Sequence, residues 1–395
     1  MSTTNKSEII RAPRINETAP DFAAARRGAL ARPLPALQPH AAPETGAGLT
    51  TLDPSIATPR RRSMPDRKLD IAFWNYDRTR LLADGTIKIE GVDATFHSAR
   101  IVPEIFKAMI KDRAYDVSEL GMTYFLRLFN DDDPPFLALP VFLVRCFRHS
   151  AIYINKKKGI SRPQDLAGKR IGELGLYGHD GGVMPKGVLS DEYGVTPDQC
   201  RWIVGRIDFP MKPVNFVPHP HPANVEVEWA DEDTDLGEML ERGEIDALIS
   251  ADAPRCVLEG SPNVGRLFED YVAVERDYFR RTGIFPIMHT VVARKELANE
   301  PELLRTVFEG FCKAKDGMIE QYEKGLTFMM MANMVPWLAN LLEQDRALTG
   351  RDWWPYGVKA NRDAVDAVLR YHHEQGLTNR RLTCEDIFAP SLLDT

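Results

Sequence analysis

Two histidines and one glutamate occupy positions from which the chain could carry out proton transfer. His289 lies inside an apolar strand pattern, and His149 directly follows Arg148 near the end of another. Histidine is the side chain best matched to proton transfer near neutral pH, although a lone histidine in a strand is more often a hydrogen-bonded core residue. Glu119 follows a short strand in an apolar context, where its carboxylate could accept a proton or simply stabilise the next helical turn. We take these three side chains as candidate catalytic groups.

Arginines near strand ends indicate a site for an anionic ligand. A guanidinium binds a carboxylate through two parallel hydrogen bonds, so arginine is the expected residue for this task. Arg78 follows the first strand, and Arg145 and Arg148 flank a predicted crossing between two α/β units. Arg255 follows Asp252 at a further strand end and could reach the same ligand. Surface ion pairing, which accounts for most arginines in proteins, is the alternative.

Two further polar positions have a functional and a structural interpretation. Asp77, next to Arg78, could either bind a ligand or start a helix. His179, followed by Asp180 in a glycine-rich loop, could bind a ligand or belong to a surface turn.

No residue pattern predicts a metal site. His219 and His221 are separated by a proline in an extended segment that has no nearby set of Cys, Asp or Glu ligands. His372 and His373 are adjacent in a helical pattern and point about 100° apart, so they cannot share one metal ion.

The elements that position these residues alternate between strand and helix. Apolar strand patterns include residues 69–74, 136–147 and 243–250, and helical patterns include 103–112, 183–193 and 236–242. Alternation of this kind predicts a mainly parallel α/β sheet. The chain then becomes helical, at residues 301–325, 327–346 and 362–375.

We therefore predict two α/β lobes with a helical C-terminal region. Residues 69–155 and 284–395 form the first lobe, and residues 156–283 form the second. In such folds ligands bind beyond the carboxyl ends of the strands, here between the lobes.

The segment before the first strand differs in composition from the rest. Residues 1–68 carry 11 lysines and arginines against 6 acidic residues and are rich in proline and alanine. Such a segment buries too little apolar surface to offset its chain entropy, so we predict a disordered extension. Met64 stands just before the first strand and would be a natural initiator methionine. We find no apolar export segment, and we expect a cytoplasmic protein.

The overall composition excludes several classes of function. The 395 residues carry a formal charge of −7, which argues against non-specific nucleic-acid binding. No apolar run approaches the ~18–20 residues of a membrane-spanning helix. The five cysteines are scattered, which fits reduced thiols better than a disulfide framework.

Several short segments between residues 69 and 390 occur in an informative order. The most specific are Phe285-Pro286-Ile287-Met288-His289-Thr290-Val291-Val292 and Trp354-Pro355-Tyr356-Gly357, followed by His373-Glu374-Gln375-Gly376-Leu377-Thr378. Others are Tyr76-Asp77-Arg78-Thr79, Asp116-Val117-Ser118-Glu119-Leu120, Phe147-Arg148-His149-Ser150, Asp165-Leu166-Ala167-Gly168-Lys169 and Gly243-Glu244-Ile245-Asp246-Ala247. Together they resemble the 4,5-dihydroxyphthalate decarboxylase family. Residues 1–68 and the segment around 213–222 depart from its pattern.

The resemblance implies a fold and a reaction. The fold would be similar to that of type II periplasmic binding proteins, and the enzyme would be a carboxy-lyase that converts 4,5-dihydroxyphthalate to protocatechuate. The phenol of such a substrate can act as the electron sink, so no cofactor and no metal is expected. The protein would supply cations for the retained carboxylate, an acid and a proton acceptor. Tyr76, within the first family-like segment, joins the substrate-binding candidates.

Other functions remain open on this fold. A solute-binding protein or ligand sensor would use the same cleft to capture an aromatic or sulfonated anion, and a biosynthetic enzyme is a third interpretation. The expected partner in each case is a small anion, neither a nucleic acid nor a membrane. A homo-oligomer is compatible with the sequence.

Overall fold

The computed structural model describes residues 67–211 and 214–395. The predicted disorder of residues 1–66, and the suggestion about Met64, fall outside the described residues. Arg67 and Lys68, which we assigned to the extension, are instead the first residues of a strand and pair with Val92 and Asp93. This pairing gives their backbone groups the partners that a disordered segment lacks.

The described strands and helices alternate as expected over most of the chain. The strands are β1 (Arg67–Ala72), β2 (Val92–His97), β3 (Val117–Gly121), β4 (Phe136–Arg145), β5 (Ile152–Asn155), β6 (Arg170–Leu174), β7 (Arg201–Gly205), β8 (Glu226–Trp229), β9 (Ala247–Ile249), β10 (Val264–Arg266) and β11 (Ile287–Arg294). The α-helices are α1 (Asp77–Ala83), α2 (Val102–Asp112), α3 (Met122–Arg127), α4 (Asp180–Tyr193), α5 (Leu236–Arg242), α6 (Arg255–Leu258), α7 (Tyr271–Thr282), α8 (Pro301–Thr327), α9 (Leu338–Thr349), α10 (Arg362–Glu374) and α11 (Cys384–Ile387).

The first sheet has the strand order β2-β1-β3-β11-β4. Strand β1 runs parallel to β2 and β3, whereas β11 runs antiparallel to β3 and β4. Every residue of β3 is buried, because α2 and α3 pack on this part of the sheet. Buried strands of this kind are apolar almost throughout, so a carboxylate in β3 is unusual.

The second sheet has the order β10-β5-β9-β6-β7-β8. Strands β9, β6, β7 and β8 are parallel, so their carboxyl ends and the loops that follow them lie at one edge. Helices α4 and α5 pack against β6 and β9. This edge carries the first turn of α4, which is part of the site described below.

The chain passes from the first sheet to the second between β4 and β5, and returns between α7 and β11. Strand β5 pairs with β9 and β10 of the second sheet, so the first crossing precedes Ile152 and not residue 156, where our predicted boundary lies. The C-terminal helices contact elements of both lobes, since α8 packs on β4 and α10 packs on β11 and on helix α4 of the second lobe.

The predicted helix over residues 327–346 is wrong in its first half. Helix α8 ends at Thr327, and α9 begins only at Leu338. Met329 and Met330 adopt left-handed backbone conformations, which a continuous α-helix does not allow, and Pro336 lacks the amide hydrogen that a helix needs. Among the described residues, no helix is both long and apolar enough to cross a membrane.

Candidate active site

The carboxylate of Glu119 is fully buried near the end of β3. Because β1 and β3 are parallel neighbours, the residues that follow β1 reach this carboxylate. The backbone amide of Trp74 donates to Oε2 at 2.9 Å, and the Tyr76 hydroxyl donates to Oε1 at 2.6 Å. Burial and the Glu119 charge together raise the pKa of Tyr76, so its hydroxyl keeps its proton and remains a donor.

His289 is the third partner of Glu119. It lies on β11 opposite Gly121 of β3, and its Nδ1 atom is 2.7 Å from Glu119 Oε1. Because His289 lies opposite Gly121 and Val291 lies opposite Glu119, regular strand alternation places the side chains of His289 and Glu119 on the same face of the sheet. A carboxylate oxygen accepts a hydrogen bond from an imidazole N–H, so the contact with Glu119 places the donor on Nδ1, while Nε2 faces Asp180. The ring edge also packs against Phe106, with centroids 5.1 Å apart.

Asp180, the first residue of α4, approaches His289 from the second sheet. Its Oδ2 atom is 3.9 Å from His289 Nε2, and its Oδ1 accepts the Thr123 amide at 2.8 Å. A β-carbon at Gly121 would lie 2.1 Å from Asp180 Oδ2, so only glycine allows this approach. Burial raises the pKa of Asp180 to about 6, although His289 opposes this shift. The Asp180 carboxyl therefore titrates near neutral pH.

Sequence reasoning treated Asp180 only as the neighbour of His179. The position of Asp180, after β6 and at the start of a helix, was the available signal, because loops at this edge of a parallel sheet commonly form ligand sites. His179 itself caps α4, with Nδ1 accepting the Gly181 amide at 3.0 Å. Burial, followed by the charges of Arg148 and His289, lowers the pKa of His179 to about 3, so this ring is neutral.

Arg148 is the candidate anion-binding group whose charge acts on Asp180 and His179. Its Nε donates to the Met288 sulfur at 3.3 Å. Within residues 67–211 and 214–395, its guanidinium forms no ion pair with a carboxylate. A partly buried guanidinium without a partner of opposite charge is suited to binding an anion.

Arg78, Asp77 and Tyr76 form a second group beside Glu119. Arg78 pairs with Asp77 at 3.1 Å and donates to the Leu143 carbonyl oxygen. Its guanidinium also lies over the rings of Tyr76 and Trp354, at 4.2 and 4.5 Å from their centroids. These contacts occupy much of the guanidinium, which makes Arg78 less available to a ligand than Arg148.

Arg145, predicted to bind an anion, is occupied by contacts within the protein. Arg145 is buried, and its guanidinium donates to Asn361 and to the carbonyl oxygens of Phe285 and Pro355. These contacts join the first sheet to the C-terminal region and leave no direct path to Asp180.

His149 is also buried, with its ring centroid 5.3 Å from those of Phe268 and Tyr278. Burial lowers the pKa of His149 to about 4. The ring lines an apolar cavity together with Met184 and Pro286, so a direct exchange of protons with His289 is not indicated.

Asp252 and Arg255 are exposed beyond β9. The Asp252 amide donates to Ser250 Oγ, and the Arg255 amide donates to Asp208. The loop borders the start of α4, where a β-carbon on Gly181 would lie 3.0 Å from Ala251. Asp252 and Arg255 thus stand at the edge of the site. In the part of the chain that is described, no group of three or more His, Cys, Asp or Glu side chains is arranged to hold a metal ion.

Comparison with known proteins agrees with the fold and with the resemblance noted in the sequence. The chain is 34% identical to 4,5-dihydroxyphthalate decarboxylase of Comamonas testosteroni over 333 residues, which cover 84% of this chain and 99% of that protein. It is 35% identical to 4,5-dihydroxyphthalate decarboxylase of Pseudomonas putida over 212 residues, or 54% of this chain and 81% of that one. No family model matches the sequence.

Solved structures with a similar fold include the periplasmic aliphatic sulphonate binding protein SsuA from Escherichia coli. The TM-score is 0.48 at 12% identity, over 82% of this chain and 92% of that one. Two mixed sheets, joined by two crossings and accompanied by C-terminal helices, define a two-lobed α/β protein. The chain belongs to the 4,5-dihydroxyphthalate decarboxylase family.

Proposed function

We propose that the protein decarboxylates 4,5-dihydroxyphthalate to protocatechuate and carbon dioxide. The observation that carries this proposal is the position of His289, which lies between two buried carboxylates, Glu119 at 2.7 Å and Asp180 at 3.9 Å. A protonated imidazole held between two carboxylates is a proton donor for carbon, which is what this reaction requires. The identity to proteins of that name supports the choice of substrate.

The proposed reaction requires protonation of one ring carbon. The hydroxyl para to the leaving carboxylate loses its proton, and its electrons move through the ring to the carbon that bears that carboxylate. That carbon takes the proton of His289 and becomes tetrahedral. The carbon–carbon bond to the carboxylate then breaks, its electrons restore the aromatic ring, carbon dioxide leaves, and the phenolate regains a proton. The oxygen of the para hydroxyl accepts the electrons when the carbon–carbon bond breaks, so we propose a reaction without cofactor or metal.

The residues have separate roles in this proposal. Glu119 is a positioning residue, because it is enclosed by three donors and holds His289 in one tautomer and orientation. Asp180 stabilises the imidazolium, and its pKa of about 6 suits it to return a proton to His289 after each turnover. Arg148 binds the carboxylate that the product retains.

The decisive experiment is turnover by the purified full-length chain. We expect protocatechuate and carbon dioxide to form from 4,5-dihydroxyphthalate in the presence of a metal chelator. In D₂O, the product should carry one deuterium at the carbon that lost its carboxylate. Folded protein that gives no product would contradict the assignment, and activity that disappears on chelation would contradict the cofactor-free mechanism.

Capture of an anion without chemistry is the second candidate function. The unpaired Arg148 is the observation that favours it, since an anion-binding cleft needs a cation but not the Glu119–His289 pair. Calorimetry with 4,5-dihydroxyphthalate separates the two, because saturable binding without turnover would indicate a binding protein or sensor.

A further inference from the structure

A second arginine, outside the anion-binding candidates, lies behind the site. Arg127 at the end of α3 is fully buried. Its guanidinium donates to the carbonyl oxygen of Tyr177 at 2.7 Å, to that of Gly178 at 3.3 Å and to Thr123 Oγ1 at 2.8 Å. Among the described residues it forms no ion pair, so its acceptors are neutral oxygens.

Burial of an arginine in this way is costly. Burial lowers the pKa of Arg127 to about 10, which shows how strongly its surroundings disfavour the charge. An apolar side chain would fill the same space without removing a charge from water. Packing therefore does not account for an arginine here, and its hydrogen bonds suggest another role.

Those hydrogen bonds connect the two sheets immediately behind Asp180. Helix α3 follows a strand of the first sheet, whereas Tyr177 and Gly178 belong to the turn that leads from β6 of the second sheet into α4. The turn approaches so closely that a β-carbon on Gly178 would lie 2.9 Å from the Arg127 guanidinium. Two residues after Gly178, the chain reaches the carboxylate that faces His289.

Thr123 completes the connection. Its hydroxyl donates to the Gly178 carbonyl oxygen at 2.7 Å, while its amide donates to Asp180 Oδ1 at 2.8 Å. The same hydroxyl accepts a hydrogen bond from Arg127. Arg127 and Thr123 thus bind the 177–178 turn, and Thr123 also binds the Asp180 carboxylate.

We propose that Arg127 is a positioning residue, whose bonds to the 177–178 turn and to Thr123 fix the Asp180 carboxylate opposite His289. This inference rests on the proposed function, in which that carboxylate stabilises the protonated imidazole. Arg127 touches neither the substrate nor the reacting atoms. It acts on the rate through the placement of Asp180 and through its positive charge.

The positive charge of Arg127 affects the pKa of Asp180. The charged groups that act on Asp180 are His289 from β11, Arg127 from α3 and Arg148 from the crossing. Tyr124 of α3, on which the Asp180 charge acts, and the adjacent His179 complete its titratable surroundings. Arg127 lowers the pKa of Asp180, so loss of its charge raises that pKa. If an ionised Asp180 supports the imidazolium, the acidic limb of the kcat profile then moves to higher pH.

The test compares Arg127→Lys with Arg127→Met in the full-length chain. Lysine keeps the positive charge but replaces the planar guanidinium, with its several fixed donors, by a single ammonium. We therefore expect kcat to fall about tenfold or more, without a shift of the pH profile. Methionine removes both the guanidinium donors and the positive charge. We therefore expect kcat to fall by a similar factor and the acidic limb of its pH profile to move to higher pH. KM should stay within about threefold for both, because Arg148 is untouched.

Arg145→Met is the matched control, since Arg145 is also buried and also binds carbonyl oxygens, but lies on other elements. It should lose thermal stability without a shift of the acidic limb. An acidic limb that shifts equally in Arg145→Met and Arg127→Met, or a kcat in Arg127→Lys within threefold of the parent, would overturn the proposal.

Two further measurements keep the proposal testable if a variant folds poorly or the parent chain has no activity. Thr123→Val removes the hydroxyl but keeps the amide bond to Asp180, and it should reproduce the loss of kcat seen in Arg127→Lys. Carbon NMR of the Asp180 carboxyl reports its pKa without turnover, and that pKa should rise in Arg127→Met. An inactive parent chain would contradict the proposed function, whereas an unchanged Asp180 pKa would contradict the role of Arg127.

Discussion

His289 lies between two carboxylates whose surroundings differ. Glu119 accepts three hydrogen bonds and is closed off from the cleft, whereas Asp180 accepts one amide and faces the imidazole across 3.9 Å. A carboxylate that accepts three hydrogen bonds is held in one position, which suits orientation of the ring. A carboxyl with a raised pKa can change its protonation state during turnover.

Replacing His289 by glutamine tests the proton donor. Glutamine can still hydrogen bond but cannot donate a proton to carbon, so kcat should fall by about 10²–10⁴-fold. His97→Gln is the matched control, because His97 is a partly exposed histidine of the same sheet that pairs with Asp70. Turnover by His289→Gln within about threefold of the parent, or about 0.7 kcal/mol in barrier, would show that another group delivers the proton.

Asp180 should leave a signature in the pH dependence of stability. Its pKa is about 6 in the folded chain, above the ordinary value of 3.8, so the folded chain binds more protons between these values. The free energy of unfolding therefore falls as pH rises from about 4 to about 6, and the loss persists above 6.

Asp180→Asn removes this titration. Relative to the parent, the variant should gain stability on the order of 2 kcal/mol between about pH 4 and about pH 8. Urea unfolding of both chains at the two pH values measures the gain. A stability difference that does not depend on pH would mean that Asp180 is not buried as described.

At the residue scale, part of the candidate site could be predicted from the sequence. His289 and Glu119 are recognisable because ionisable residues interrupt apolar strands. Asp180 was not singled out, since its importance depends on a neighbouring sheet that sequence spacing does not reveal. Arg145 was a reasonable candidate by position, but the direction of its guanidinium depends on Asn361, which is more than 200 residues away along the chain.

Helix α4 illustrates how an element positions the site. Its first turn carries Asp180, and its middle packs on α10, where a β-carbon at Gly187 would lie 2.2 Å from the Tyr371 ring. That ring cannot move aside easily, because its hydroxyl donates to Asp191 of α4 at 2.6 Å. The glycine therefore sets the distance between the two helices.

Gly187→Ala should destabilise the chain by about 1–3 kcal/mol or more through overpacking. Gly317→Ala is the matched control in helix α8. Its β-carbon would meet the ends of two flexible side chains, Leu81 at 2.6 Å and Ile87 at 3.6 Å. Alanine favours a helix by about 1 kcal/mol over glycine, so little net change is expected. Urea unfolding measures both, and equal stabilities would contradict the close packing of α4 on α10.

The sequence predicted elements well where local signals agree. Helix α5 was predicted with its observed bounds, because an aspartate cap precedes it and a glycine in left-handed conformation follows it. In the predicted helix over 327–346, Pro336 was a signal against a continuous helix that the apolar spacing outweighed, whereas the left-handed residues Met329 and Met330 have no comparable signal in the sequence. Strand β10 escaped notice because it is only three residues long.

At the scale of the whole molecule, residues from both sheets contribute to one candidate site. The type of fold was predictable, because strand and helix patterns alternate over two stretches of the chain. The first crossing was placed a few residues late, since β4 and β5 form one nearly continuous apolar segment in the sequence. Only strand pairing distinguishes which sheet each belongs to.

If Arg148 binds the substrate between the lobes, a dicarboxylate should stabilise the folded chain. Phthalate, which lacks the hydroxyls needed for decarboxylation, should raise the melting temperature of the parent. Arg148→Met should lose this rise, whereas Arg276→Met, which removes a surface arginine paired with Asp345, should keep it. A full rise in Arg148→Met would show that another cation holds the carboxylate.

Because the site is divided between two sheets, its substrate preference could be changed by varying one side only. The Glu119–His289 pair stands on β3 and β11 of the first sheet, while the loops after β6 and β9 reach it from the second. Randomising the loop after β9 would change the residues beside the start of α4 and leave the Glu119–His289 pair and the 177–178 turn in place. Libraries for new aromatic acids would therefore begin with the loop that follows β9, beyond the carboxylate of Asp180.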